Sequence, residues 1–404
     1  MSIAERAWIP IVGLGSRGDG VAADGRFVPA TVPGDHVRFG PFEVAPGPGH
    51  VTPPCRHFPD CGGCQLQHVA DPAYASWVVE RIISALDAAR VPVGAVEPVA
   101  LSPPRSRRRA SLRAVKRGGK VALGFNADAS HRIIDMIECH ILTTGLFALI
   151  APLRRLLASA LKDGEGAGIS LTESDTGIDL LLANVTARGF TEIERLNDFA
   201  GLHDIARLSV EEPDGVETMT EARAPVLRFG GTPVILPPAP FLQATREGEA
   251  ALVAAVVAAT AGAETVADLF AGLGTFALPL AHGAKVYAAD GSTDATTALA
   301  AAVRISGARL LVERRDLFRR PLPVLELAKF DAVVVDPPRA GAVGQVAELA
   351  ASRVPVIAMI SCNPNTFARD AAVLVGGGYR LERLWPVAQF RWSTHVELAA
   401  RFTR

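Results

Sequence analysis

The chain has 404 residues, 49% of them hydrophobic and 21% charged, with a net charge of −1. That length exceeds one ordinary core and predicts two or three domains. The composition excludes a disordered chain, no apolar run approaches the roughly 20 residues that span a bilayer, and near-neutral charge does not announce a nucleic-acid binder.

Glu5 and Arg6 interrupt the N-terminus, so no secretion signal is expected and the cytoplasm is the expected compartment. Residues 7–40 read as short strands (IPIVGLG, GVAAD, RFVPATV, DHVRFG) separated by glycine-rich turns. This is the pattern of a small β-barrel. It contains a formal G-x-G-x-x-G at Gly13–Gly18. A dinucleotide fingerprint needs a helix directly after the glycines, whereas Asp19, Gly20, Asp24 and Gly25 are turn residues. Residues 41–55 form a Pro/Gly-rich linker.

The five cysteines are Cys55, Cys61, Cys64, Cys139 and Cys362. Disulfides are not expected in a reducing compartment. An odd count with three clustered predicts metal ligation plus one thiol with a separate task. Residues 71–90 predict a helix with Asp71 as N-cap and Pro72 in its first turn. Residues 105–117, RSRRRASLRAVKR, carry seven cations and no acid. They read as a phosphate-contacting run, which implies salt-dependent binding, with a solvated face as the alternative. Residues 100–225 mix strands and helices, and a break spans 230–240.

From 241 the pattern becomes strand–helix alternation. Residues 241–261 read as helical. Apolar segments follow near 265–270, 285–290, 309–313, 330–335 and 355–361, with final strands near 379–387 and 394–402. This predicts a doubly wound α/β sheet, and seven strands with a hairpin-like last pair fit its methyltransferase variant.

The segment TVADLFAGLGTF is a strand ending in an acid, then a Gly-x-Gly turn, then a helix. The glycines let a ligand approach the backbone closely. No phosphate-cradle motif is present, which favours a cofactor bearing an amino acid. Asp290, about 20 residues on, is placed to accept from ribose hydroxyls, and Asp316 ends the third strand towards the adenine position. The fourth strand ends in Asp336-Pro337-Pro338-Arg339. Enzymes that methylate exocyclic amines place an aromatic after Asp-Pro-Pro, so Arg339 disfavours that chemistry.

The fifth strand ends in Ser361-Cys362-Asn363-Pro364, with a helix expected from Pro364. A cysteine beside a helix N-terminus can have its pKa lowered from about 8.5. A thiolate adding to C6 of a uracil would turn the ring into an enolate whose C5 attacks an activated methyl group. A base must then take the C5 proton. Glu397, in THVELA, is the candidate: an acid inside an apolar strand is costly without a partner or role, and His395, Glu397 and Ala399 share one face. The structural alternatives are an inert buried thiol and an exposed glutamate.

These residues carry a resemblance that covers nearly the whole chain. The sequence resembles bacterial 23S rRNA (uracil-C5)-methyltransferases with an N-terminal TRAM domain and an iron–sulfur cluster. Residues 7–40 look like TRAM, an OB-like RNA-binding barrel. Cys55-x5-Cys61-Gly62-Gly63-Cys64-Gln65-Leu66-Gln67-His68 is similar to the cluster-binding segment, and Cys139 to its distant fourth ligand. DLFAGLGTF, DPPRAG, SCNPNTFARD and HVEL are similar to the catalytic motifs. The resemblance implies Cys362 as nucleophile, Glu397 as proton-abstracting base, and Gln243, Phe270, Thr275, Asp290, Asp316 and Asp336 around S-adenosylmethionine. The chain departs from the family at Thr245 and Thr275, where Asn is usual or frequent, and at Asp290, where Glu is usual. Cysteine spacing alone leaves zinc and iron–sulfur both open; the resemblance implies [4Fe–4S] on Cys55, Cys61, Cys64 and Cys139. The spacing is not C-x3-C-x2-C, which disfavours radical chemistry.

The expected division is a TRAM-like barrel at 1–45, an α+β iron–sulfur and RNA-binding region at 46–240, and a seven-stranded Rossmann-like methyltransferase domain at 241–404. The expected activity is methylation of uridine C5 in RNA, most readily 23S rRNA, by a monomer. A tRNA uridine methyltransferase and a non-catalytic, metal-stabilised RNA-binding protein are the alternatives.

Overall fold

The structure is a computed structural model that describes residues 7–404; the N-terminal reading on Glu5 and Arg6 lies outside them. Residues 9–45 give five short antiparallel strands in the order Phe27–Val28, Gly20–Ala22, Ile9–Leu14, His36–Arg38, Glu43–Ala45. They cover a small core of Ile11, Ala22, Val28 and Val37. Among the described residues no ladder joins the two edge strands, so the sheet is open where a closed barrel was expected. The Gly13–Gly18 segment runs from a strand into a turn and then a second strand.

A six-stranded sheet occupies the middle of the chain, in the order Gly215–Glu221, Ile205–Glu212, Gly177–Ala183, Gly166–Ser174, Arg109–Arg117, Lys120–Gly124. The one parallel pairing, between Gly177–Ala183 and Ile205–Glu212, is bridged by the helix Phe190–Leu202, as a parallel crossover requires. The break expected at 230–240 is partly a hairpin: Val226–Phe229 pairs with Thr232–Ile235. Gly230 and Gly231 both have positive φ, which the tight two-residue turn demands.

The largest sheet has the order Leu310–Arg314, Lys285–Asp290, Thr265–Leu269, Ala332–Val335, Val356–Ser361, Glu397–Thr403, Arg380–Ala388. The first five strands are parallel and Glu397–Thr403 is antiparallel to both its neighbours. Ala332–Val335 is buried throughout, as befits a strand covered on both faces. The sheet does not stop at seven strands. Val93–Val96 and Ala100–Leu101 both add in parallel to Arg380–Ala388. The helix Asp71–Ala88 packs on the helix Pro364–Gly376 and joins the same core through Tyr74, Trp77, Val78, Ile82 and Leu86. Residues 71–101, read from sequence as part of the central region, thus complete the C-terminal sheet. The N-cap of that first helix is Ala70; Asp71 lies in its first turn and pairs with Arg391.

One local expectation changes around the cofactor end of the sheet. The segment 241–245 is not helical, and the helix begins at Arg246 with Thr245, in extended conformation, as its side-chain cap. After the Gly-x-Gly turn comes the expected helix as a single turn, Ala277–Leu280, with Pro279 in its first turn. Among the described residues no helix is long and apolar enough to cross a membrane.

Candidate active site

Strand ends and the turns after them build one cavity of about 570 Å³, lined by Gln243, Phe270, Thr275, Asp290, Asp316, Asp336, Cys362 and Glu397. Ligands collect at the carboxyl ends of strands in open α/β sheets, and this cavity lies there. Phe270 has a φ of 65°, a strained conformation for a non-glycine residue of the kind that clusters at functional sites. Asp290 accepts from the backbone N–H groups of Gly272 and Ser292, at 2.9 and 2.7 Å, which shapes the glycine turn and leaves lone pairs toward the cavity. Asp316 lies two residues past its strand and accepts from Phe318 and Arg319 N–H. Beneath the turn, Asp268 is fully buried and neither carboxylate oxygen has a partner. Burial first, then the nearby Asp336, pushes its pKa well up.

Cys362 sits between the strand Val356–Ser361 and the helix Pro364–Gly376, whose N-cap is Asn363 and whose first position is Pro364. The helix is as expected, but the thiol is not acidified. Burial, then Glu397 and Asp336, pushes Cys362 up to about 11, with Arg339 opposing. Two carboxylates outweigh one cation and one helix end. Glu397 opens the strand Glu397–Thr403 and is buried. Burial and Asp336 push it up to about 8; Asp336, by burial and Asp290, rises to about 7. The buried position of Glu397 removes the exposed-strand alternative. His395 lies outside the strand, so the shared strand face predicted for it is not formed.

A second cavity, of about 420 Å³, meets the first. Arg339, Cys362, Glu397 and the segment Ala239–Phe241 line both. Its other walls come from the central sheet (Arg109, Ser111, Ser170, Thr172), from Gly62 and Gly63, and from Phe390, Ser393 and His395. The Arg107 guanidinium lies 5.4 Å from the ring centroids of both Phe125 and Phe390, and that of Arg109 lies 4.9 Å from Phe241. Cation–π geometry of this kind holds guanidinium groups in place.

The basic run 105–117 is therefore not one phosphate-binding face. Strand periodicity sends alternate residues to opposite sides. Arg107 and Arg109 face the second cavity, while Arg108 is buried against Glu249 at 2.5 Å. Lys116 donates to the carbonyls of Ala158 and Leu161. Arg105, Arg113 and Arg117 remain exposed.

Cys55, Cys61, Cys64 and Cys139 line one small pocket backed by Phe58, Phe125, Ile134, Met136 and Ile141. Burial raises all four thiols, Cys64 to about 12. Among the described residues no three His, Cys, Asp or Glu side chains are arranged to hold a single metal ion.

Sequence reasoning missed three side chains here: Phe125, Phe390 and Gln389. Gln389 is buried and touches both Gln243 and Glu397. The signal that singled out Glu397, a polar group in an apolar stretch, applied equally to Gln389 in LWPVAQF.

Residues 241–404 match the profile of the tRNA (Uracil-5-)-methyltransferase family. An RNA methyltransferase of Zymomonas mobilis is 44% identical over 98% of this chain and 99% of its own. The 23S rRNA (uracil(1939)-C(5))-methyltransferase RlmD of Thiobacillus denitrificans is 32% identical over 98% and 99%. The fold is shared with Pyrococcus abyssi tRNA (uracil-54, C5)-methyltransferase solved with S-adenosyl-L-homocysteine, at a TM-score of 0.78 and 22% identity, over 98% of this chain and 100% of that one. With its glycine-turn cavity, its strand-end thiol and relatives aligned end to end, the chain belongs to the S-adenosylmethionine-dependent RNA (uracil-C5)-methyltransferases.

Proposed function

We propose that the protein methylates C5 of a uridine in 23S rRNA, with Cys362 as nucleophile and Glu397 as base. The observation that carries this reading is the position of Cys362 and Glu397 in the shared wall of the two cavities. One cavity has the acids and glycine turn suited to a nucleoside carrying an amino acid, the other the guanidinium and aromatic groups suited to a nucleotide. Gln243, Phe270, Thr275, Asp290, Asp316 and Asp336 line the cavity that would hold S-adenosylmethionine, which would supply an activated methyl group. Cys362 Sγ, as thiolate, bonds to C6 of the uracil, and Arg339 is the nearby charge that favours that form. The ring becomes an enolate whose C5 would bond to the methyl carbon as the S–CH3 bond of the donor breaks, its electron pair leaving with S-adenosylhomocysteine. Glu397 then removes the C5 proton, the C6–S bond breaks, and Sγ leaves with its electron pair. The uridine must leave its stack to reach Cys362.

Relationship to RlmD along the full length favours 23S rRNA over tRNA; mapping 5-methyluridine in both RNAs from a strain lacking the gene decides between them. RNA containing 5-fluorouridine tests the chemistry, because fluorine at C5 blocks the last proton removal. A covalent adduct should accumulate with the native protein and vanish with Cys362→Ala. Glu397→Gln should trap an adduct on ordinary RNA and slow turnover roughly 10²–10⁴-fold. Turnover by Cys362→Ser at the native rate would exclude the mechanism.

We read residues 1–45 as the RNA-binding TRAM-like unit, 46–240 as the iron–sulfur and RNA-binding region, and 241–404 as the catalytic domain. For Cys55, Cys61, Cys64 and Cys139 we propose [4Fe–4S]. The four thiols line one small pocket, and four thiolates are the ligand set that such a cluster takes. Anaerobic purification should yield iron and acid-labile sulfide in equal amounts; zinc alone would refute the cluster.

A further inference from the structure

We infer that Gln389 is a positioning residue that orients Glu397 and Gln243 together, so that one amide sets up both the base and the cofactor wall. The inference rests on the proposed role of Glu397.

The geometry leaves the amide one orientation. Ala244 N–H is an obligatory donor and lies 2.6 Å from Gln389 Oε1, so Oε1 is the acceptor and Nε2 faces the other way. Nε2 has two hydrogens and two acceptors: Gln243 Oε1 at 2.6 Å, and Glu397 Oε2. Both consequences are directional. Gln243, with its oxygen engaged, turns its own amide hydrogens to the cavity it lines. Glu397 receives a donor, which favours the carboxylate over the acid, the form a base needs. Gln389 is itself buried, and an unmet amide there would be costly. The site makes room for it: a Cβ on Gly248 would stand 2.4 Å from Gln389 Cβ.

The charged and titratable groups facing Glu397 come from several elements. Asp336 follows the strand Ala332–Val335, Cys362 follows Val356–Ser361, and Arg109 opens the central strand Arg109–Arg117. Arg339 and His395 line the same cavity from loops. Burial and Asp336 oppose ionisation of Glu397, while Gln389 and Arg109 favour it. Removing the Gln389 donor should therefore move the ionising limb of the rate to higher pH.

The test compares full-length native protein with Gln389→Met, Gln389→Glu and Glu397→Gln, each checked for a native circular dichroism spectrum and melting transition. Gln389→Met keeps volume and loses both donors. It should lower kcat roughly 10- to 100-fold, raise KM for S-adenosylmethionine, shift the ionising limb upward, and accumulate covalent RNA adduct. Gln389→Glu places a second acid beside Glu397 and should shift the limb further in the same direction; it carries the test if the methionine variant does not fold. Native kcat, KM and pH limb in a folded Gln389 variant would overturn the inference. So would an activity loss with an unmoved limb and no adduct, the signature of a merely structural residue. Native turnover in Glu397→Gln would instead overturn the base assignment beneath it, whatever Gln389 does.

Discussion

Cys362 in this structure is a protected thiol. Its pKa, pushed up to about 11 by burial and by Glu397 and Asp336, leaves little thiolate at neutral pH, and the thiolate is the reactive form. Alkylation of Cys362 by iodoacetamide, followed on its own peptide by mass spectrometry, should accelerate about tenfold per pH unit between pH 7 and pH 10. Glu397→Gln removes a neighbouring negative charge and should speed alkylation at pH 9, where native Glu397 is ionised. A rate already level at pH 7 would contradict this electrostatic account. Single residues were legible in the sequence when their chemistry clashed with their surroundings. A cysteine and a glutamate at apolar strand ends stand out. Phe125 and Phe390 do not, because their significance lies in meeting over the Arg107 guanidinium; Gln389 carried the same polar signal as Glu397, but only the fold shows its contacts with Gln243 and Glu397.

The segment around Arg107, Arg108 and Arg109 shows how secondary structure reassigns a charge run. Composition marks it as basic, but backbone pairing decides what each cation does. Arg108 N–H donates to Ala244 O, its side chain reaches Gln243 O and Glu249, and the stretch braces the 243–245 segment from the side opposite Gln389. Arg108→Ala would leave Glu249 without its partner in a largely buried place, and breaking such pairs is strongly destabilising. The expected loss is about 3 kcal/mol in urea unfolding, with the salt dependence of RNA binding unchanged. A weaker salt slope with native stability would return Arg108 to the phosphate-binding role. Element types from 265 onward were readable because short apolar runs alternate with helical stretches, and several of those runs are followed by a turn or an acid such as Asp290 or Asp336. The helix start was not, because 241–245 matched a helical pattern while Arg108 and Gln389 hold that segment outside the helix.

At the level of the whole molecule, the C-terminal sheet is finished by residues that precede the central sheet in sequence. Nothing in the composition of 71–101 announces this, since sheet partners far apart in sequence are set by tertiary packing. Expressed alone, 241–404 would expose Arg380–Ala388 as an unpaired edge and uncover the helix Pro364–Gly376. Burial of Trp77, Ile82 and Leu86, at roughly 1.5–3 kcal/mol for each large side chain, would be lost with it. Such a fragment should aggregate, whereas one that keeps 71–101 in a linked chain should remain monomeric in size-exclusion chromatography. A soluble, folded 241–404 fragment would show the added strands to be dispensable.

The partition between the two cavities also bears on how they are filled. Under the proposed assignment, the tethered nucleoside and the methyl donor occupy neighbouring chambers that meet at Arg339, Cys362 and Glu397, so crowding at that one wall acts on both.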